Sequence, residues 1–204
     1  MLRSISRLVC LFGLVWLLAG AVGAQAAGPL IILIGPPASG KTTQAEILQK
    51  ERGMTVISVE DLIAQNARML EKVRRPEIHG VEPRLDPALN RLIDERIRTV
   101  DRSKGVILDG YPASKEQGDH VAGLISEFQF SGPIVLQLRL TDADVRKRAS
   151  QNGTKDVEQG LKDYHRELDF AQTYFPQAHI HAINGARPVP EVAKEIRKVL
   201  TSVK

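Results

Sequence analysis

Leu30-Ile31-Ile32-Leu33-Ile34-Gly35-Pro36-Pro37-Ala38-Ser39-Gly40-Lys41-Thr42-Thr43 joins a short, wholly apolar run to a glycine-bounded turn that ends in lysine and threonine. A continuous apolar run stopped by glycine is the pattern of a strand buried on both faces. Residues 35–42 match G-x-x-x-x-G-K-[ST]. The glycines allow the backbone to curl so that successive N–H groups face an anion. The helix opening after them directs its positive end to the same point. Gly35, Pro36, Pro37, Ala38, Ser39, Gly40, Lys41, Thr42 and Thr43 are therefore expected to cradle the phosphates of ATP. Lys41 should reach the β- and γ-phosphates, and the Thr42 hydroxyl should bind Mg²⁺.

Apolar runs and amphipathic stretches alternate outward from this point. Thr55–Val59, Gly105–Asp109, Pro133–Leu140 and Ile180–Ile183 read as further strands. Helical spacing recurs over residues 43–52, 61–73, 114–128, 142–150, 156–174 and 190–199. Another helix is expected from Asp86 as cap and Pro87 at the first helical position. Residues 74–87 carry Pro76, Gly80, Pro83 and Pro87 and read as a loop. Five strands separated by helices predict an α/β fold of three α/β/α layers around a five-stranded parallel sheet, of the P-loop NTPase type. Asp109 ends one of these strands, at the sheet edge where such folds bind ligands. It is expected to hold Mg²⁺ opposite Thr42.

The first 26 residues differ from the rest. Arg3 and Arg7 precede the apolar core Leu8–Leu18, and Ala24-Gln25-Ala26 is a small-x-small cleavage signal. This predicts a signal peptide and an exported protein, periplasmic or secreted. An uncleaved anchor over residues 8–24 is the alternative, and without the leader no stable membrane association is expected. Residues 27–204 form the single predicted domain. Its 26 Lys and Arg against 24 Asp and Glu leave a charge of +2, too small to indicate nucleic-acid binding. Cys10 is the only cysteine, so a domain lacking the leader has neither disulfides nor thiolate metal sites.

Taken together, three segments resemble the adenylate kinase family of nucleoside monophosphate kinases. Gly35–Ala45 resembles that family's phosphate loop. Val106-Ile107-Leu108-Asp109-Gly110-Tyr111-Pro112 is similar to its metal-proximal strand and turn. Ile183-Asn184-Gly185 with Pro190-Glu191-Val192 resembles its last strand and helix. The resemblance implies transfer of the ATP γ-phosphoryl to a nucleoside monophosphate by a monomer, with nucleotides as its partners. It implies catalytic roles for Lys41, Asp109 and Arg148, with Arg148 also on the ATP phosphates. Asp61 and Gln117 would serve the acceptor. Residues 59–100 would be the acceptor-binding excursion, and residues 149–155 a short lid.

The acceptor half departs from that family. Ala64, Ala113, Asn152 and Gly160 stand where arginines are expected, and Ser58-Val59-Glu60-Asp61 replaces Ser-Thr-Gly-Asp. Lys155, Lys162 and Arg166 are the nearby cations that could substitute. Two alternatives therefore stand beside the nucleotide kinase: a kinase of the same fold for another small molecule, and a protein that binds ATP without turnover. His79, His120, His165, His179 and His181 show no metal-ligand spacing.

Overall fold

The computed structural model describes residues 27–74 and 85–203. The leader and most of the loop expected over 74–87 lie outside the described residues. Five strands, β1 (Pro29–Ile34), β2 (Thr55–Ser58), β3 (Val106–Asp109), β4 (Ser131–Arg139) and β5 (Ile180–Asn184), form one sheet in the order β2-β3-β1-β4-β5. Every pairing is parallel. The chain builds β2 and β3 on one side of β1 and then β4 and β5 on the other. The order thus reverses at β1, and a crevice opens beyond its C-terminal end. The phosphate loop leaves the sheet there.

Side-chain alternation along β1 divides the core into two faces, as period-2 geometry requires. Leu30, Ile32 and Ile34 pack on one side with Ile93, Ile97 and Val121. Ile31 and Leu33 pack on the other with Leu48, Leu136, Ile196 and Leu200. Helices α1 (Lys41–Arg52) and α8 (Val189–Ser202) cover the Ile31 face. Helices α4 (Asp86–Thr99), α5 (Lys115–Phe128) and α7 (Val157–Tyr174) cover the Ile32 face. Leu30 to Leu33 are completely buried, which explains why the run carries no polar residue on either face.

Four of the differences from the sequence expectation have a local reason. The helix expected over 61–73 is two helices, α2 (Val59–Gln65) and α3 (Ala67–Arg74). Asn66 separates them, its side-chain amide donating to the Leu62 carbonyl at 2.9 Å. That bond competes with continuation of the helix. Strand β2 stops one residue early because Ser58 caps α2, its hydroxyl accepting from the Asp61 N–H. Asp86 does not cap α4; Leu85 stands at the cap position, and the Asp86 carboxylate bridges to α5 instead. Helix α6 (Asp142–Asn152) runs through much of the expected lid and ends at Gly153, whose φ is 67°. The connection to α7 is thus residues 153–156 alone.

Candidate active site

The phosphate loop is shaped by residues that tolerate its backbone. A Cβ on Gly35 would lie 2.7 Å from Ser39 Oγ and 3.2 Å from Leu138 Cβ, so only glycine fits between β1 and β4. Ala38 adopts a left-handed φ of 55°, and Gly40 a φ of 92°. The Ser39 N–H closes the turn on the Pro36 carbonyl at 3.2 Å. Gly40 supplies the cap of α1 without a side chain, and the first turn of α1 holds no acidic residue. The positive end of this helix therefore faces the crevice with no side-chain competitor for an incoming anion.

Lys41 and Thr42 open α1 on the wall of a cavity of about 590 Å³. Lys41 folds back over the loop, its ammonium donating to the Gly35 carbonyl at 2.5 Å and to the Pro36 carbonyl at 3.5 Å. Asp109, at the end of β3, lines the same cavity opposite the loop. Burial raises its carboxyl above the ordinary value; the Lys41 charge opposes this, and Glu60 and Asp61 reinforce it. Lys41, Thr42 and Asp109 thus line one cavity.

Helix α7 supplies the opposite wall, with a residue that sequence reading missed. Glu167 lines the cavity beside Lys41 and Asp109. Its Oε1 is shielded from solvent and has no hydrogen-bond partner. Burial lifts its carboxyl from 4.5 to about 7; Lys41 pulls it down and Asp109 pushes it further up. A signal was present: Gly160, Tyr164, Glu167 and Ala171 follow helical spacing on one face, and Tyr164 and Ala171 are buried. A glutamate on the core face of a helix marks a site rather than a solvated surface. The same face explains Gly160. A Cβ there would overlap Pro37 Cγ, so α7 rests on the phosphate loop only because this position has no side chain.

Other expected site residues lie elsewhere. Arg148 stands in a separate groove of about 500 Å³ on the far side of the loop, with Gln44, Asn152 and Pro188. Its guanidinium donates to the Ala186 carbonyl at 3.1 Å and the Ala38 carbonyl at 3.5 Å. It touches the loop without sharing the Lys41 cavity. Thr43 is exposed on α1 and lines neither space. Asp61 is exposed on α2, whereas Ser58, Glu60 and Ile63 of that segment line the cavity. Gln117 is buried and does not line it; its Oε1 accepts from the Ala113 N–H at 2.8 Å and its amide donates to Asp86 at 2.8 Å. Gln117 thus ties the turn after β3 to the start of α4.

Lys41 and Lys155 are the cations among the described residues that line the cavity. Lys162 lies outside it, and Arg166 pairs with Asp163 at 3.2 Å. Among the described residues, no three His, Cys, Asp or Glu side chains form a metal cage. Thr42 and Asp109 instead present hard oxygen donors on an open cavity, which suits a Mg²⁺ ion that keeps most of its coordination for water and phosphate.

A switch-point crevice, a glycine-shaped loop opening an uncapped helix, and a lysine facing a strand-end aspartate define a P-loop α/β protein. The profile of the AAA domain family matches residues 34–163, well over half of the chain, and the protein belongs to that family. It is also adenylate kinase-like. It is 29% identical over 191 residues to a protein named adenylate kinase from Mesorhizobium japonicum, covering 84% of this chain and 96% of that one. It is 28% identical over 193 residues to the adenylate kinase of Micrococcus luteus, covering 85% and 91%. To that of Brucella ovis it is 28% identical over 189 residues, covering 83% and 97%.

Proposed function

We propose that the protein is an ATP-dependent phosphotransferase that passes the γ-phosphoryl group to a nucleoside monophosphate. The observation that carries this reading is the single cavity holding Lys41, Thr42 and Asp109. The N–H groups of the loop and the start of α1 would bind the β- and γ-phosphates. Lys41 would leave the Gly35 carbonyl for them, a switch from a neutral acceptor to a charged one. Thr42 and Asp109 would hold Mg²⁺, which neutralises charge on the phosphates when bound. An acceptor phosphate oxygen placed in line would form the new P–O bond as the bond to the β-phosphate oxygen breaks and ADP departs. Arg148 serves the nucleotide from the neighbouring groove rather than the transfer itself.

The acceptor would enter from the side of Ser58, Glu60 and Ala113. The names of the relatives favour AMP or a close analogue. One feature favours a second reading. Ala113 and Gly160 line the cavity where the resemblance calls for arginines, and Glu60 adds a carboxylate. A small acceptor without phosphate would suit that wall. Incubation with γ-labelled ATP and a panel of nucleoside monophosphates tests the primary reading. Labelled nucleoside diphosphate is expected from the wild type and none from Lys41→Ala. Label passing only to sugars or acids selects the second reading, and ATP binding without transfer to any acceptor rejects both. The segment 153–156, where Thr154, Lys155 and Asp156 border the cavity, would act as a small lid. We further propose that residues 1–26 direct export and are removed. N-terminal sequencing of protein from its producing cells should begin at Ala27, and a start at Met1 contradicts cleavage.

A further inference from the structure

In the sequence, the cleavage signal Ala24-Gln25-Ala26 stands directly before the folded domain. Ala27, the next residue, is buried and belongs to the core on the Ile32 face of the sheet. Gly28 has both backbone groups engaged. Its N–H donates to the Arg102 carbonyl at 2.8 Å, and its carbonyl accepts from the Ser131 N–H at 3.3 Å. A Cβ on Gly28 would lie 2.5 Å from the Gly105 nitrogen, so the chain runs hard against the backbone that leads into β3. Pro29 then opens β1, the central strand, and Leu30 to Leu33 are completely buried between β3 and β4. No spacer separates the signal from the strand on which the sheet is built.

A peptidase holds its substrate extended across a cleft, so burial and hydrogen bonding of the backbone beside the bond decide whether it can be cut. Hydrolysis here would break the Ala26–Ala27 amide, add water, and leave a carboxylate on Ala26 and an amine on Ala27. To place residues 27–29 in a cleft, the folded domain must give up the Gly28 hydrogen bonds and the start of β1. A central strand paired on both sides opens only with the sheet as a whole, so local fraying does not present the bond. We propose that the leader is removed only while β1 is undocked, and that folding closes the cleavage site. The proposal rests on the export reading above and goes beyond it by fixing the order of the two events. A chain that folds first keeps its leader, attached at the end of the sheet opposite the phosphate loop. Cleaved export and the uncleaved anchor are then two outcomes of one competition between processing and folding.

The full chain, incubated with signal peptidase in mild detergent, tests it, with N-terminal sequencing to place the cut. Three forms are compared: the wild type, Leu33→Asp, and a variant with about eight Gly and Ser residues inserted between Ala27 and Gly28. Circular dichroism establishes that the wild type and the insertion variant are folded and that Leu33→Asp is not. Leu33→Asp and the insertion variant should both be cut after Ala26. The folded wild type should be cut about a thousandfold more slowly or less, in line with the scarcity of unfolded chain in a stable domain. Cutting of the folded wild type as fast as the insertion variant overturns the proposal. So does an insertion variant as resistant as the wild type, because resistance would then not come from the missing spacer. No cut after Ala26 in unfolded Leu33→Asp rejects the export-and-removal reading itself.

Discussion

A single carboxylate shows how strongly local environment alters a residue in this chain. Glu167 is held near a carboxyl value of about 7, mainly by burial. Its folded value lies above its unfolded one, so the folded state holds the proton more tightly. The stability this contributes is complete below about pH 4.5 and is lost as pH rises through about 7. Without divalent cations, the wild type should therefore lose stability across that interval, and Glu167→Gln should lose less. The difference should approach about 3 kcal/mol by pH 8, because a tenfold change in proton affinity corresponds to about 1.4 kcal/mol. Urea unfolding at pH 5 and pH 8 measures it; parallel pH dependence in both proteins contradicts the assignment. The Asp109 carboxyl is raised in the same direction, so the variant keeps some slope. Lys41 and Asp109 were legible in the sequence because a spacing motif and a strand end announce them. Glu167 is announced only by its helical face, and that becomes visible once Tyr164 and Ala171 are known to be buried.

Between elements, the structure depends on polar connections that no local pattern reveals. The Tyr111 hydroxyl is enclosed between Asn90 Oδ1 of α4 at 2.7 Å and His120 Nδ1 of α5 at 2.6 Å. His120 continues to Asp94 of α4 at 3.0 Å. Asp86 of α4 likewise accepts from Ser114 and Gln117 at the start of α5. These bonds tie α4 and α5 to the turn that follows Asp109, so they fix one wall of the crevice. Tyr111→Phe leaves the packing and strands a buried polar partner. It should cost about 1–3 kcal/mol without altering nucleotide affinity. Thermal unfolding and a nucleotide titration check both halves, and an unchanged melting temperature contradicts the role of the network. The strands and most helices could be read from periodicity. The division at Asn66 and the reassignment of Asp86 could not, because each depends on where a short polar side chain finds its partner.

For the whole molecule, the sheet order places the phosphate loop at the point where strands diverge; five apolar runs were enough to anticipate the parallel α/β/α class, but not that order. Two spaces flank the loop, a cavity lined by Lys41 and a groove lined by Arg148. Lys41 follows from the spacing motif and Arg148 from the resemblance alone, and their separation by the loop itself appears only in three dimensions. The packing of Gly160 on Pro37 likewise gives a steric reason for a departure that in the sequence is only a missing arginine. Calorimetric titration of the full chain with ATP and Mg²⁺ tests the central claim most directly. One nucleotide should bind per chain, and Lys41→Ala should weaken binding by about a hundredfold, the loss expected for a charge-assisted contact worth about 3 kcal/mol. Undiminished binding by Lys41→Ala, or no binding by the wild type, contradicts the account.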